Sequence, residues 1–252
     1  MGFSHSDSGD LDACPFPIPL GRESPWRAPS AAFTLIEMMV VILIIILLFS
    51  LLFTAGSGMF ERARKVQAKN DVTQIVTAVS AYYTEYGKYP VTVTDNTTDA
   101  YFGSGTAAAG CTSYTSNDKL LNVLRNITTD SNAVALNPRQ IVFISPRSAQ
   151  TGAQPRGGIS QSAGSVGQYM DPWGSQYSVA IDTTYDNQIG TANPYSDTDA
   201  SAGASPLRQG VIAYSFGKNG ALGGGPKLNT SFVDELGTAG TFKGSSDILS
   251  WQ

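Results

Sequence analysis

The stretch "AAFTLIEMMVVILIIILLFSLLF", residues 31–53, decides the fold of the N-terminal part of this 252-residue chain. Residues 38–49 are all apolar, and the run continues with one serine to Phe53. A helix of about 20 apolar residues spans a hydrocarbon core of roughly 30 Å, whereas strands usually end after about 4 to 8 residues. The length therefore predicts a membrane-inserting helix over 33–53, in which Glu37 is the only ionisable residue.

After "TAGSG" (54–58) the apolar residues recur at spacings of three and four, which is typical of an amphipathic helix. The members of this stripe are Phe60, Ala63, Val66, Val72, Ile75, Val76, Val79, Tyr82, Tyr83 and Tyr86. Gly87 favours a helix end, and Pro90 disfavours helical angles at the residue before it. We therefore expect one helix over 33–86, with a membrane half and an amphipathic half.

Residues 87–252 are rich in turn residues and contain short β-rich runs, which predicts a small head. We expect a surface loop over 91–116 and a short helix in "NDKLLNVLRNI", opened by Asn117 or Asp118. The predicted strands are 140–145, 175–181 and 210–216. The fold class is therefore α+β, with an antiparallel sheet that covers the apolar stripe of the long helix and carries long loops.

The composition argues against an enzyme and against nucleic acid binding. The formal net charge is −4 without a basic stripe, and the single histidine, His5, leaves no triad or zinc site built on histidine. Cys111 stands in a Gly/Thr-rich loop without a base partner, so we read it as an incidental thiol. The glycine-rich stretch "GKNGALGGG" (217–225) lacks the Gly-Lys-Ser/Thr ending of a phosphate loop, so it does not predict a nucleotide site. Carboxylate pairs such as Asp197 with Asp199 lie in polar segments, where we expect solvated surface charges rather than catalytic groups.

Glu37 requires a separate explanation. A charge inside an apolar helix costs about 2.5 to 3.5 kcal/mol on insertion scales and is usually retained for a function or a partner. Either the carboxylate stays solvated near the headgroups, or it meets a cation that appears after processing. The new N-terminus of a cut chain would be such a cation.

The residues around Glu37 carry a family resemblance. "AFTLIEMMVV" resembles the processing and assembly motif of type IV pilins and of the pseudopilins of type II secretion systems. Three later stretches are similar to segments of the major pseudopilin: "DPWGSQY" (171–177), "AYSFGKNGALGG" (213–224) and "DILSW" (247–251). The resemblance implies a type IV pilin-like fold, with a leader over 1–32, the helix over 33–86 and the head over 87–252.

The resemblance also implies a site at the start of the helix. A prepilin peptidase would cut between Ala32 and Phe33 and methylate the new amine of Phe33; alanine stands here where the family usually has glycine. The Glu37 carboxylate would then pair with the N-terminal amine of a neighbouring subunit.

A calcium ion in the C-terminal loop is a further implication of the resemblance. The matching positions are Asn219, where the family has aspartate, and Asp247, with the carbonyls of Phe216 and Leu222 as companions. The two carbonyls matter because calcium takes about 6 to 8 oxygen ligands. The carboxylate of Asp234 or Glu235, within the insertion between the two halves of the motif, could supply the negative charge that Asn219 lacks.

Taken together, these features predict a non-enzymatic subunit of a type II secretion pseudopilus. We expect a single-pass protein of the bacterial inner membrane, with its head in the periplasm or outside, which assembles into a homo-oligomeric filament. The implied partners are the prepilin peptidase, minor pseudopilins and the inner-membrane assembly platform. A type IV pilus subunit for adhesion, motility or DNA uptake is the nearest alternative. A secreted soluble binding protein with an ordinary signal peptide is the second alternative.

Overall fold

The computed structural model of the protein contains two compact units, Met1–Phe53 and Thr54–Gln252. The structure describes residues 33–92, 97–103, 112–114, 116–152, 154–190, 202–203, 206–220, 242 and 245–252. Residues 51–58, 112–114 and 219 are described by their backbone alone. The described part combines helices with a small sheet, which confirms the α+β class.

Helix α1 spans Leu35–Tyr86 and, with 52 residues, is the longest of the described helices. It ends directly before Gly87, whose φ of +66° is a left-handed conformation that glycine adopts without strain. Among the described residues, no helix has an apolar window long enough to cross a membrane.

The head is built on a five-stranded sheet with the order β2-β1-β5-β6-β7. Strands β1 and β2 are parallel, and the remaining neighbours are antiparallel, with Ala180 opposite Ile212 and Ser215 opposite Ile248. The five strands are β1 (Ala100–Phe102), β2 (Thr112–Tyr114), β5 (Ser178–Ile181), β6 (Val211–Ser215) and β7 (Ile248–Leu249).

Smaller elements complete the head. Strands β3 (Gly158–Ile159) and β4 (Tyr169–Met170) form a separate antiparallel pair. Two short helices, α2 (Asp118–Leu124) and α3 (Ser131–Leu136), lie between β2 and β3 in the sequence, and a 3-10 turn at Gly217–Asn219 follows β6.

The sheet is buried on both faces, because alternate residues of a strand point to opposite sides. Val179 and Ile181 of β5 share one apolar cluster with Ile75 and Tyr82 of α1. Ala180 belongs instead to a second cluster, which includes Tyr101, Ile212, Tyr214 and Leu249 and is packed against Trp251. The long helix and the C-terminal segment therefore enclose the sheet from opposite sides.

Only part of the predicted apolar stripe of α1 is covered by the head. Val72, Ile75, Val79 and Tyr82 are buried, as expected for a stripe under a sheet. Phe60 and Val66 are 72% and 71% exposed, so the prediction that the stripe is buried from Phe60 onward is wrong. Among the described residues, the buried apolar face of α1 begins at Ala68.

Two predictions about the head are also wrong. Residues 140–145 form no strand; Phe143 instead donates its N–H to the carbonyl of Leu124 at the end of α2, 2.8 Å away. The predicted loop 91–116 contains β1 and β2. Tertiary pairing, rather than local propensity, decides both segments.

Asn117 stands at the N-cap position of α2, yet its side chain makes no capping hydrogen bond. The buried amide donates to the carbonyls of Tyr169 and Tyr177, at 3.0 and 2.8 Å, and its oxygen accepts the N–H of Tyr169. The side chain that was predicted to start a helix therefore connects β4 to the segment before β5.

Candidate functional site

The start of helix α1 is a reciprocal cap formed by Thr34 and Glu37. The N–H and the hydroxyl of Thr34 both donate to Oε2 of Glu37, at 2.8 and 2.9 Å. The N–H of Glu37 donates in return to the Thr34 hydroxyl oxygen, at 3.3 Å. A threonine followed three residues later by glutamate is the capping-box pattern, which satisfies backbone donors that a helix start leaves open.

This cap leaves half of the carboxylate open. Oε2 of Glu37 is occupied by Thr34, whereas Oε1 accepts no hydrogen bond from any described residue. Phe33, which lies directly before Thr34, is 74% exposed. Ala32, the other residue of the predicted cleavage site, lies outside the described residues. The first turn therefore holds Glu37 in place while one oxygen remains available to a donor.

The helix that follows the cap is exposed around its whole circumference. Every large apolar residue from Leu35 to Phe49 is between 44% and 78% exposed. Soluble monomeric proteins rarely expose an apolar surface of this extent, and such surfaces mark contacts with lipid or with other proteins.

The "DPWG" stretch is built around a fully buried carboxylate, Asp171. Its Oδ1 accepts the N–H groups of Trp173, Gly174 and Ser175, at 2.9, 2.7 and 2.9 Å. Its Oδ2 accepts the Ser215 hydroxyl at 2.7 Å. Burial raises the pKa of Asp171, although the hydrogen bond from Ser215 and those from the turn oppose the shift. The motif thus fixes a turn against strand β6.

Two further contacts join this region to helix α1 within the second unit. The indole Nε1 of Trp173 donates to Oε1 of Glu61 at 3.0 Å, and Tyr177 donates its hydroxyl to Oδ2 of Asp71 at 2.8 Å. Gly174 has a φ of +101°, which disfavours any residue with a Cβ. The sequence singled out "DPWG", but its partners on α1 are visible only in three dimensions.

The two halves of the predicted calcium motif meet at the end of the sheet. Strand β7 pairs with β6, and a Cβ on Gly217 would collide with the carbonyl of Ser246. Asp247 is only 4% exposed, and the buried Ser246 hydroxyl beside it has no hydrogen-bond partner among the described residues. A buried carboxylate next to an unsatisfied oxygen is compatible with an oxygen-ligated cation.

The remaining calcium candidates are less well placed by the structure. Phe216 is buried directly before the 3-10 turn, and Asn219 in that turn is described by its backbone alone. Leu222, Asp234 and Glu235 lie outside the described residues, as does Cys111. Among the described residues, no group of three or more His, Cys, Asp and Glu side chains is arranged to hold a metal.

Sequence reasoning missed a cluster of aspartates at one end of β1 and β5. Burial raises the pKa of Asp99 to about 6, and the charges of Asp182 and Asp186 add to this shift. Asp182 itself accepts the Thr184 hydroxyl at 2.9 Å and the Asn187 N–H at 2.7 Å. The three aspartates are 4 to 87 positions apart in the sequence, so no local pattern could have grouped them.

Comparisons of the chain with protein-family models, with curated proteins and with solved structures found no match. The function is therefore inferred from the residues and contacts described above.

Proposed function

We propose that this chain is a structural subunit of a type II secretion pseudopilus, made as a membrane-anchored precursor and cut between Ala32 and Phe33. The observation that carries the proposal is the exposed apolar surface of α1 between Leu35 and Phe49, which surrounds and follows the capped Glu37 carboxylate. Lipid would cover this surface before assembly, and neighbouring copies of the helix would cover it in the filament.

The open oxygen of Glu37 supports a role in assembly. After cleavage, the methylated amine of Phe33 would be a cation at the start of the same apolar helix. A carboxylate and an amine attract strongly where water is excluded, and an unpaired charge is penalised there. Oε1 of Glu37 would accept a hydrogen bond from the N-terminal amine of a neighbouring subunit, while Thr34 continues to donate its two hydrogen bonds to Oε2.

The two alternatives predict different molecules. A type IV pilus subunit would share the cap and the apolar helix; the "DPWG" match and the lack of a cysteine-bounded C-terminal loop favour secretion. A secreted soluble binding protein would lose its apolar run, so its mature chain would start after residue 54. In the pseudopilin proposal, the head lies in the periplasm or outside, minor pseudopilins and the assembly platform are the partners, and the chain itself catalyses no reaction.

Mass spectrometry of the mature N-terminus tests the proposal. The chain is expressed in a host with a prepilin peptidase, and a mature protein that starts with N-methylated Phe33 is expected. A mature start beyond residue 50 would overturn the proposal. Glu37→Gln provides the second readout, because it should be processed normally yet fail to form filaments. Normal filaments from Glu37→Gln would remove the pairing role.

Calcium binding is part of the same proposal. Asp247, the carbonyl of Phe216 and Asn219 would hold the ion at the junction of β6 and β7, and the ion would supply a positive charge beside the buried carboxylate. A ligand that binds only the folded head raises its melting temperature. We expect chelator to lower the Tm of the full chain in detergent, and Asp247→Asn, but not Asp118→Asn, to abolish this effect. A Tm that chelator leaves unchanged would exclude the site.

A further inference from the structure

The head contains a cavity of about 560 Å³ that none of the motifs above explains. It lies between α2, the start of α3 and the region of β3, with Lys119, Arg125 and Asp130 as its ionisable lining residues. Ile159 and Val166 contribute apolar wall. Its volume is within the range of about 300 to 1,000 Å³ that is usual for ligand pockets.

The acidic residue of the cavity is already engaged. Oδ1 of Asp130 accepts the N–H groups of Asn132 and Ala133, at 2.9 and 3.4 Å, and Oδ2 accepts the Asn122 amide at 2.9 Å. Burial opposes ionisation of Asp130, but these hydrogen bonds and the charge of Lys119 together lower its pKa. Asp130 is therefore a charged cap of α3 with its carboxylate satisfied by amides.

Arg125 has no such partner. The residue is partly buried, and its guanidinium makes no hydrogen bond or ion pair with any described residue. Burial lowers its pKa, which reflects the loss of water without a compensating anion. Lys119 is different, since its side chain is 55% exposed and its Nζ lies 4.0 Å from Oδ2 of Asp118. The cavity thus contains one partly buried cation that forms no ion pair with any described carboxylate.

A second, smaller cavity of about 140 Å³ shares two lining residues, Lys119 and Asn132, with the first. Its other lining residues are mainly apolar and include Phe102, Val123 and Leu136. A ligand that reaches from Arg125 into the second cavity would therefore place an anionic group and an apolar group side by side.

We propose that the two cavities bind a carboxylate that is flanked by an apolar group, as in an acidic residue of a peptide followed by leucine. A guanidinium offers two parallel N–H groups that match the two oxygens of a carboxylate. One negative charge balances the Arg125 cation, whereas a doubly charged phosphate would leave an excess negative charge near the Asp130 carboxylate. The apolar neighbour would occupy the smaller cavity.

Calorimetric titration of the full chain in detergent micelles tests this site with three probes. N-acetyl-Glu-Leu-amide should bind saturably, and N-acetyl-Gln-Leu-amide should bind about 10-fold more weakly or worse, because a hydrogen bond to a charged group is lost. N-acetyl-Glu-amide, which has the same single carboxylate but no leucine, should bind more weakly than the Glu-Leu probe. Equal affinity for the Glu-Leu and Gln-Leu probes would overturn the carboxylate site, and equal affinity for N-acetyl-Glu-amide would overturn the role of the smaller cavity.

Variants assign the binding to Arg125. Arg125→Gln should lower the affinity for the Glu-Leu probe about 10-fold or more. The affinity of Arg125→Lys should lie between those of Arg125→Gln and the unaltered chain. The control Arg208→Gln, at an exposed position before β6, should bind the probe with unchanged affinity. Unchanged affinity in a folded Arg125→Gln protein would overturn the proposal. Should Arg125→Gln fail to fold, the comparison of the Glu and Gln probes on the unaltered chain still decides the question.

Discussion

Thr34 holds the Glu37 carboxylate through both its N–H and its hydroxyl, and its hydroxyl oxygen also accepts the N–H of Glu37. Thr34→Val removes the hydroxyl but keeps the size of the side chain, so the start of α1 should lose about 1 kcal/mol of capping. We expect fewer filaments from Thr34→Val, measured by shearing cells and blotting the released protein. Thr34→Ser, which keeps the hydroxyl, is the control, and equal yields from both variants would contradict this role.

Tyr177 and Tyr169 both interact with the buried carboxylate of Asp71. Tyr177→Phe removes the hydroxyl that donates at 2.8 Å, and the head should lose about 1 kcal/mol of unfolding free energy. Urea unfolding followed by circular dichroism measures the loss. Tyr185→Phe, at a half-exposed ring, should change the midpoint much less; equal shifts would mean that the Asp71 contact contributes nothing specific.

Asp99 makes the stability of the head depend on pH. Its pKa is raised to about 6 by burial and by Asp182 and Asp186, whereas an unfolded aspartate titrates near 4. The folded state thus keeps its proton where the unfolded state has lost it, so this stability is present below about pH 4 and is lost as the pH rises to about 6.

Asp99→Asn removes this titration while keeping the size of the side chain. We expect the Tm of the variant, relative to the unaltered chain, to rise between pH 4 and pH 7, by the equivalent of about 1 kcal/mol after solvent screening. A difference that stays constant with pH would show that Asp99 ionises normally in the folded head.

Among the elements, the end of α1 offers a clean comparison of two glycines. Gly87 has a φ of +66°, and no atom lies within 4 Å of the position that a Cβ would take, so Gly87→Ala adds strain without a clash. We expect it to lower the unfolding free energy by about 1 kcal/mol. Gly152, which has no such φ and only one distant neighbour, is the matched control. Equal thermal shifts for both alanines would argue against backbone strain at the helix end.

Some elements could be predicted from the sequence because their signals are local. The period of the apolar residues and Gly87 indicate helix α1 and its end, and a β-rich run between turn residues indicates β6. Strands β1 and β2 could not be predicted, since "AYF" is a short run whose partner is β5, and Ala100 pairs with Ile181, 81 positions away. Residues 140–145 show the opposite error, because this β-rich run forms no strand and its Phe143 N–H donates instead to the Leu124 carbonyl at the end of α2.

The candidate sites, like the elements, divide into those with a local sequence signal and those without one. A contiguous motif pointed to Ala32, Phe33 and Glu37, although not to the hydrogen bonds from Thr34. The sequence presents Arg125 as an ordinary cation after a short helix, and its significance comes from the lack of an ion pair with any described carboxylate. Unsatisfied groups of this kind are a property of the folded surroundings.

At the scale of the whole molecule, both apolar clusters of the head consist of residues from Ala68 onward. No described side chain of the first unit, which ends at Phe53, belongs to either cluster. A chain that starts at Thr54 should therefore fold and keep the Tm of the full chain within a few degrees. Differential scanning calorimetry of this fragment in buffer, beside the full chain in detergent, measures the difference. A fragment without a cooperative transition would show that the apolar half of α1 is needed for folding.

The pairing of β6 with β7 has a consequence for how the chain can be modified. Ser215 and Ile248 are neighbours in the sheet, and Gly217 abuts Ser246, so the two described ends of the intervening segment lie close together. Because closing a loop costs only slightly more when the loop becomes longer, the sheet is insensitive to what is inserted there. A fluorescent tag or an epitope placed between Gly224 and Gly240 would make single copies of this protein visible in living cells.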